Sequence, residues 1–194
     1  MVGFFVFMLS FFLTNVVPFD FRGDLDRLAV LKTLPIPTWR LALGQVLTPV
    51  LLVTALQWLV LLMVALSGKL DGGWGGREAL MACAVFSPVC NLLLFGLENL
   101  LFLLFPTRLA SRGGPADLQA VGRNMLFYLA KLFSLMLAGG LAAVVGLLVG
   151  VLTGRVLAGF AAAWLTIALT AAAVVPLVAV AFDHFDVGRD TPPG

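Results

Sequence analysis

Three aspartates near the start of the chain are the residues that most directly suggest chemistry. They are Asp20, Asp24 and Asp26, in the stretch FDFRGDLD. Carboxylates grouped in this way are typical ligands of Mg²⁺, and such a site would suit an enzyme acting on lipid head groups. However, Arg22 with Asp26 and Asp24 with Arg27 have the spacings that pair opposite charges on a helix. The pattern favours a solvated, self-paired helix surface, and the lipid-head-group enzyme stays open as the alternative.

Other catalytic signatures are weak in this sequence. His184 lies beside two aspartates after the last apolar segment, and a lone histidine there is more typical of a solvated tail than of a metal site. The only Gly-Lys dipeptide, Gly68-Lys69, has Met63 where a phosphate-binding loop needs its first glycine. We therefore expect no catalytic residue, no metal site and no cofactor in this chain.

The composition indicates a membrane protein. Of 194 residues, 61% are hydrophobic and 11% are charged, with a mean hydropathy of +1.09. Soluble domains carry about 25% charged residues, so this chain has too little polar surface to face water. We predict an all-α, polytopic transmembrane helix bundle. The formal net charge of +2 is spread over the loops and gives no sign of a nucleic-acid partner.

Five segments are long enough to span a bilayer, which takes roughly 20 apolar residues per helix. In one transmembrane domain covering residues 1–194, the predicted spans are 2–19, 41–67, 79–105, 125–152 and 156–182. The connections are 20–40, 68–78, 106–124 and 153–155, followed by a tail at 183–194.

Lys and Arg are unevenly distributed over these connections, which predicts the orientation. Loops 20–40 and 106–124 and the tail carry eight of them, and the opposite side carries three. We expect the first group, including the C-terminus, to be cytoplasmic. Lys131 lies one turn inside a span and is expected to snorkel back toward loop 106–124. This orientation leaves Met1 outside without an upstream charge, so we expect a truncated or mis-assigned start and one further helix before it.

A stiff polar stretch, LKTLPIPTWRLALGQ, interrupts the apolar segments. Pro35 ends a short amphipathic helix, because the residue before a proline avoids helical geometry. Pro37 keeps the chain extended, and Thr38 is expected to cap the next helix through its hydroxyl. Trp39 and Arg40 have the amphipathic character of residues at a membrane surface. The stretch would be either an interfacial anchor or an element on which a soluble partner acts.

This stretch resembles the first cytoplasmic loop of ABC-2 type exporter permeases. The segments ENLLFLLFPTRL and FDVGRDTPP also resemble a bacterial group of putative ABC exporters. In that family the loop is a coupling helix that contacts a separate ATPase subunit, and two of six spans precede it. The five spans predicted here would then lack the first. The residues that the resemblance places at the ATPase contact are Asp24, Arg27, Leu34, Pro35, Ile36, Thr38 and Arg40.

The resemblance also implies partners and a location. The chain would be the permease subunit of an ATP-driven exporter in the bacterial cytoplasmic (inner) membrane. It would contact membrane lipids and pair with a second permease copy or a homologous half. ATP and Mg²⁺ would bind in the ABC ATP-binding subunit. A non-catalytic membrane anchor or assembly protein is a further alternative.

Polar residues inside the third predicted span are candidates for function. Asn91, Glu98 and Asn99 lie there, and a carboxylate at that depth must face protein or water. Asn91 precedes Glu98 by seven residues and shares its helix face. These side chains would either line a path or bond to a neighbouring helix.

Small residues predict a close helix contact in the fourth span. Ala142, Gly146, Gly150 and Gly154 recur every four residues and form one smooth face. Because the next connection is so short, this face is expected to pack against the fifth span, with a homodimer contact as the alternative. Cys83 and Cys90 are predicted to be small packing residues without a disulfide.

Overall fold

A computed structural model describes residues 21, 32–33, 35–67, 76–105 and 118–185, and these ranges contain four α-helices and no strand. The helices are α1 (Thr38–Leu66), α2 (Gly76–Leu104), α3 (Leu118–Thr153) and α4 (Val156–His184). Each helix contains a 29-residue segment that is long and apolar enough to cross a membrane. The all-helical class is confirmed, and the four helices fit a multi-pass membrane protein. The predicted span 2–19, loop residues 106–117 and the tail from residue 186 lie outside the described residues.

The four helices alternate in direction. Asn91 on α2 bonds Thr54 on α1, while nearer the start of α2 the contact is with Trp58, so these helices are antiparallel. Residues in the first half of α2 contact residues in the first half of α4, and residues near the end of α2 contact residues at the end of α4. These two helices therefore run parallel. We call the end with Thr38, Leu104 and His184 the tail-side end. The opposite end, where α3 turns into α4, is the hairpin-side end.

The core lies mainly between α1, α2 and α4. Phe95 on α2 packs against three buried valines of α1, and Phe102 packs in a second cluster with Phe182 and Phe185 near the tail-side end. Helix α3 packs mainly against α4 and only slightly against α2. Its most apolar stretch is 17% buried, against 33–39% for the other helices. Helix α3 therefore leaves the largest apolar surface for lipid.

The predicted helix cap at Thr38 is wrong. Helix α1 begins at Thr38 itself, after an extended Pro37 (φ −61°, ψ 134°), with no side-chain cap. The Thr38 hydroxyl donates instead to Oδ1 of Asp183, at 2.7 Å. A hydrogen bond to a carboxylate is stronger than one between neutral groups, so the tertiary partner displaces the local one.

Helices α3 and α4 meet through glycine. A Cβ atom built at Gly159 would lie 2.6 Å from the carbonyl oxygen of Gly146 and 3.2 Å from Cα of Gly150. The backbones touch, as small-residue faces of membrane helices allow. Ala142 of α3 is also buried. Gly154 follows the last residue of α3 with a φ of +64°, a conformation that glycine adopts at little cost. The small-residue face is therefore used within the chain.

Filling this contact should destabilise the bundle. We expect Gly159→Leu to lower the free energy of unfolding by about 1–3 kcal/mol or more, because neither backbone has room for a side chain. Gly140→Leu is the control, since a Cβ there meets nothing within 4 Å. Thermal unfolding in detergent would measure both. Equal melting temperatures for the two variants would contradict the proposed contact.

Candidate functional site

Three buried polar residues share one face of α2. Ser87, Asn91 and Glu98 follow one another at four and then seven residues, which returns to the same side of a 3.6-residue helix. We call them the polar column. Since hydrocarbon offers no hydrogen bonds, each must find its partners within the protein.

Glu98 forms an ion pair with Lys131 of α3. Nζ of Lys131 lies 3.3 Å from Oε1 of Glu98, and the two side chains are 0% and 5% exposed. The predicted snorkelling of Lys131 is therefore wrong. A buried charge without a partner is costly, and the carboxylate on the adjacent helix supplies that partner within the bundle. The pair joins α2 and α3, which have little other contact with each other.

Asn91 joins α2 to α1. Its Nδ2 donates to Oγ1 of Thr54 at 2.9 Å and to Oε1 of Gln57 at 2.7 Å. All three residues are buried. Sequence reasoning singled out Asn91 but missed both partners. The available signal was Gln57, a strongly polar residue in the middle of an apolar span, with Thr54 three residues before it on the same face.

Asn99 does not join the polar column. It is fully buried, and its Nδ2 donates to the carbonyl oxygen of Phe95 at 2.9 Å, one turn earlier in its own helix. Its Oδ1 has no hydrogen-bond partner among the described residues. The side chain therefore bonds its own backbone, and its amide reaches no other helix among those that the structure describes.

At Ser87 the column adjoins a proline. Pro88 lies inside α2 and lacks the N–H that would bond the carbonyl of Ala84. Trp58 supplies a substitute: its Nε1 donates to Ala84 O at 2.9 Å and to Ser87 Oγ at 3.1 Å. The indole of Trp164 on α4 donates to the next carbonyl, Val85 O, at 3.0 Å. Two tryptophans from different helices thus donate hydrogen bonds to α2 at the turn where Pro88 interrupts its backbone hydrogen bonds.

At the tail-side end, the stiff stretch is attached to α4. Nζ of Lys32 donates to the carbonyl oxygens of Phe185 and Asp183, the latter at 3.4 Å, and lies 5.3 Å from the ring centre of Phe182. A cation at a helix C-terminus interacts favourably with the helix dipole. Thr38 adds its bond to the Asp183 side chain. Four contacts therefore hold this stretch to the last turn of α4.

The remaining residues predicted at the ATPase contact are exposed or undescribed. Pro35 and Ile36 are exposed, and so is Arg40, whose guanidinium lies 5.3 Å from the ring centre of Trp39. Three others, together with two aspartates of the alternative metal site, lie outside the described residues: Asp24, Arg27, Leu34, Asp20 and Asp26.

The other residues considered for chemistry have structural surroundings. Nδ1 of His184 lies 2.8 Å from the carbonyl oxygen of Val180 in its own helix. Among the described residues there is no cluster of three side chains able to hold a metal ion. Cys83 and Cys90 are both free thiols, half-buried on α2.

The comparisons with known proteins add no family to this geometry. No protein-family model matches the chain, and neither does any curated protein or solved structure. The likeness to ABC-2 permeases rests on the quoted sequence stretches. The structural observations that bear on function are the polar column and the attachment to α4.

Breaking the ion pair from one side should be more harmful than removing it. We expect Lys131→Met to destabilise the protein by about 3–5 kcal/mol, because Glu98 would remain charged and buried. The double variant Glu98→Gln with Lys131→Met should recover most of this loss. Thermal unfolding in detergent measures both. A double variant no more stable than the single one would show that the pairing contributes nothing.

The proline and Trp58 should be energetically coupled. Trp58→Phe removes a donor from Ala84 O and should cost about 1 kcal/mol. In a Pro88→Ala background the cost should shrink, since residue 88 then supplies its own N–H to that carbonyl. Trp164→Phe is the matched control, because its acceptor, Val85 O, is not the one that Pro88 leaves open. A double-mutant cycle showing equal coupling for both tryptophans would contradict this account.

Proposed function

We propose that this chain is the membrane-spanning subunit of an ATP-driven exporter of the ABC-2 type. A separate ATP-binding subunit, which holds ATP and Mg²⁺, docks on loop 20–40. The observation that carries the proposal is the attachment of that loop to α4 through Lys32 and Thr38. The likeness of LKTLPIPTWRLALGQ to a coupling loop supplies the family.

The attachment suits the transmission of force. Helix α1 begins directly after Pro37, and the preceding Lys32 is bonded to the end of α4. A displacement of the stiff Pro-x-Pro stretch would therefore move α1 and α4 together, whereas a flexible linker would absorb it. Helix α4 contacts each of the other three helices, so its movement reaches the whole bundle.

The same stretch offers a surface to a partner. Ile36 and Trp39 are 42% and 52% exposed at the tail-side end, beside the exposed Arg40. Exposed apolar side chains next to a basic residue are suited to a protein interface. In this proposal the tail-side end is cytoplasmic, in a bacterial inner membrane. A second copy or a homologous half completes the path, and closure of the ATPases rocks the helices between two states.

Partner capture tests the docking step. The tagged full chain would be extracted in mild detergent, and ATP-binding subunits would be identified by mass spectrometry from their nucleotide-binding motifs. We expect capture by the native chain and loss of capture with Pro35→Gly/Pro37→Gly. Arg155→Ala, an exposed basic residue at the hairpin-side end, is the control and should capture normally.

A second variant separates docking from transmission. Lys32→Met removes the hydrogen bonds of this side chain to the end of α4 while leaving every residue placed at the ATPase contact unchanged. It should still capture the ATPase, but transport or substrate-stimulated ATP hydrolysis should fall strongly. A stable, membrane-inserted native chain that captures no ATP-binding subunit would overturn the exporter proposal.

A further inference from the structure

A cavity of about 350 Å³ lies between α2 and α3. Its wall on α2 includes both cysteines of the chain, Cys83 and Cys90, together with Leu94. Its wall on α3 includes Leu135 and Met136, and α1 and α4 contribute one residue each. The volume lies within the range of about 300–1,000 Å³ that small-molecule sites occupy.

The lining of this cavity is uncharged. Its strongly polar members are Gln57, Ser87 and Asn91. Asn91 directs both hydrogens of its amide nitrogen to α1, and Ser87 lies between the indole of Trp58 and the carbonyl of Ala84. These polar groups are engaged with protein atoms, and the rest of the wall is carbon and sulfur. Such an interior suits a hydrocarbon and disfavours a charged ligand.

The two ends of the cavity differ. Leu94 and Leu135 lie one helical turn from Glu98 and Lys131, so the ion pair lies just beyond the tail-side end of the cavity. On the outer side, Met136 is 68% exposed, on the helix that leaves the most apolar surface uncovered. The mouth therefore opens on a surface that faces lipid when the helix crosses a membrane.

We propose that this cavity binds one acyl chain of a bilayer lipid, which enters between α2 and α3 and stops at the Glu98–Lys131 pair. An acyl chain fits this cavity because the wall is uncharged and because the mouth opens on apolar surface. This inference does not depend on an ATPase partner, and either proposal can fail without the other.

Two neighbouring glycines of α3 provide matched variants. Gly139 lines the cavity and Gly140 does not, and a Cβ atom at either meets nothing within 4 Å. Gly139→Leu therefore fills the cavity without a backbone clash, while Gly140→Leu adds the same side chain elsewhere. Equal melting temperatures for these two variants would show that both are folded.

Photolabelling tests the site. The full chain would be placed in nanodiscs whose phosphatidylcholine carries a diazirine in one acyl chain, irradiated, and mapped by mass spectrometry. Adducts at Cys83, Cys90 and Leu135 would be compared with those at Val151, an exposed residue away from the cavity. The ratio should fall about tenfold in Gly139→Leu, equivalent to about 1.4 kcal/mol of binding free energy, and stay unchanged in Gly140→Leu.

Two results would overturn the proposal. One is an equal ratio in the two glycine variants, which would place the label on the outer surface. The other is labelling of the cavity by a free photoreactive fatty alcohol but not by the lipid, which would make the site one for a diffusible apolar molecule. A protein that captures no ATPase yet shows the expected ratios would retain the lipid site and lose only the exporter assignment.

Discussion

A polar side chain inside an apolar helix bundle can be bonded only by protein, and helix α2 meets this constraint on three sides. Asn91 is bonded by α1, Glu98 by α3, and the carbonyls beside Pro88 by tryptophans from α1 and α4. Each bond replaces hydration that the surrounding hydrocarbon does not offer. The arrangement of the other helices around α2 therefore follows from where its polar groups lie.

The cost of leaving these groups unpaired makes the arrangement specific. Apolar packing between membrane helices tolerates small shifts, because an apolar side chain meets a similar environment whether it contacts another helix or lipid. A carboxylate 3.3 Å from an ammonium group does not tolerate them. The ion pair matters most for α3, which has little other contact with α2. The glycine contact between Gly146 and Gly159 holds the same helix at its other end.

The sequence predicted well what depends on local pattern. Hydropathy located four helices, because a membrane-crossing length of apolar residues is a property of one segment alone. The predictions of snorkelling for Lys131 and of helix capping for Thr38 failed, because the partners of both side chains lie on other helices and are reached only when the chain folds. Gln57 was missed for the same reason: a single amide in an apolar span indicates a partner without saying which. The hydrogen bond of Lys32 to Phe185 joins residues 153 positions apart, and no local pattern encodes such a pair.

The positions of these bonds imply that the helices are not equally free to move. Helices α1 and α4 are joined at the tail-side end by Thr38 and Asp183, and both donate tryptophan hydrogen bonds to α2 at the turn before Pro88. Helix α3 is held to α4 where their backbones touch and to α2 at one ion pair, with the cavity between these two points. Since α3 packs extensively against α4 and only slightly against α2, relative displacement of α2 and α3 would disrupt less packing than displacement of α3 from α4. Any change that separates Glu98 from Lys131 would then act on the α2–α3 interface, where little other packing holds the two helices together.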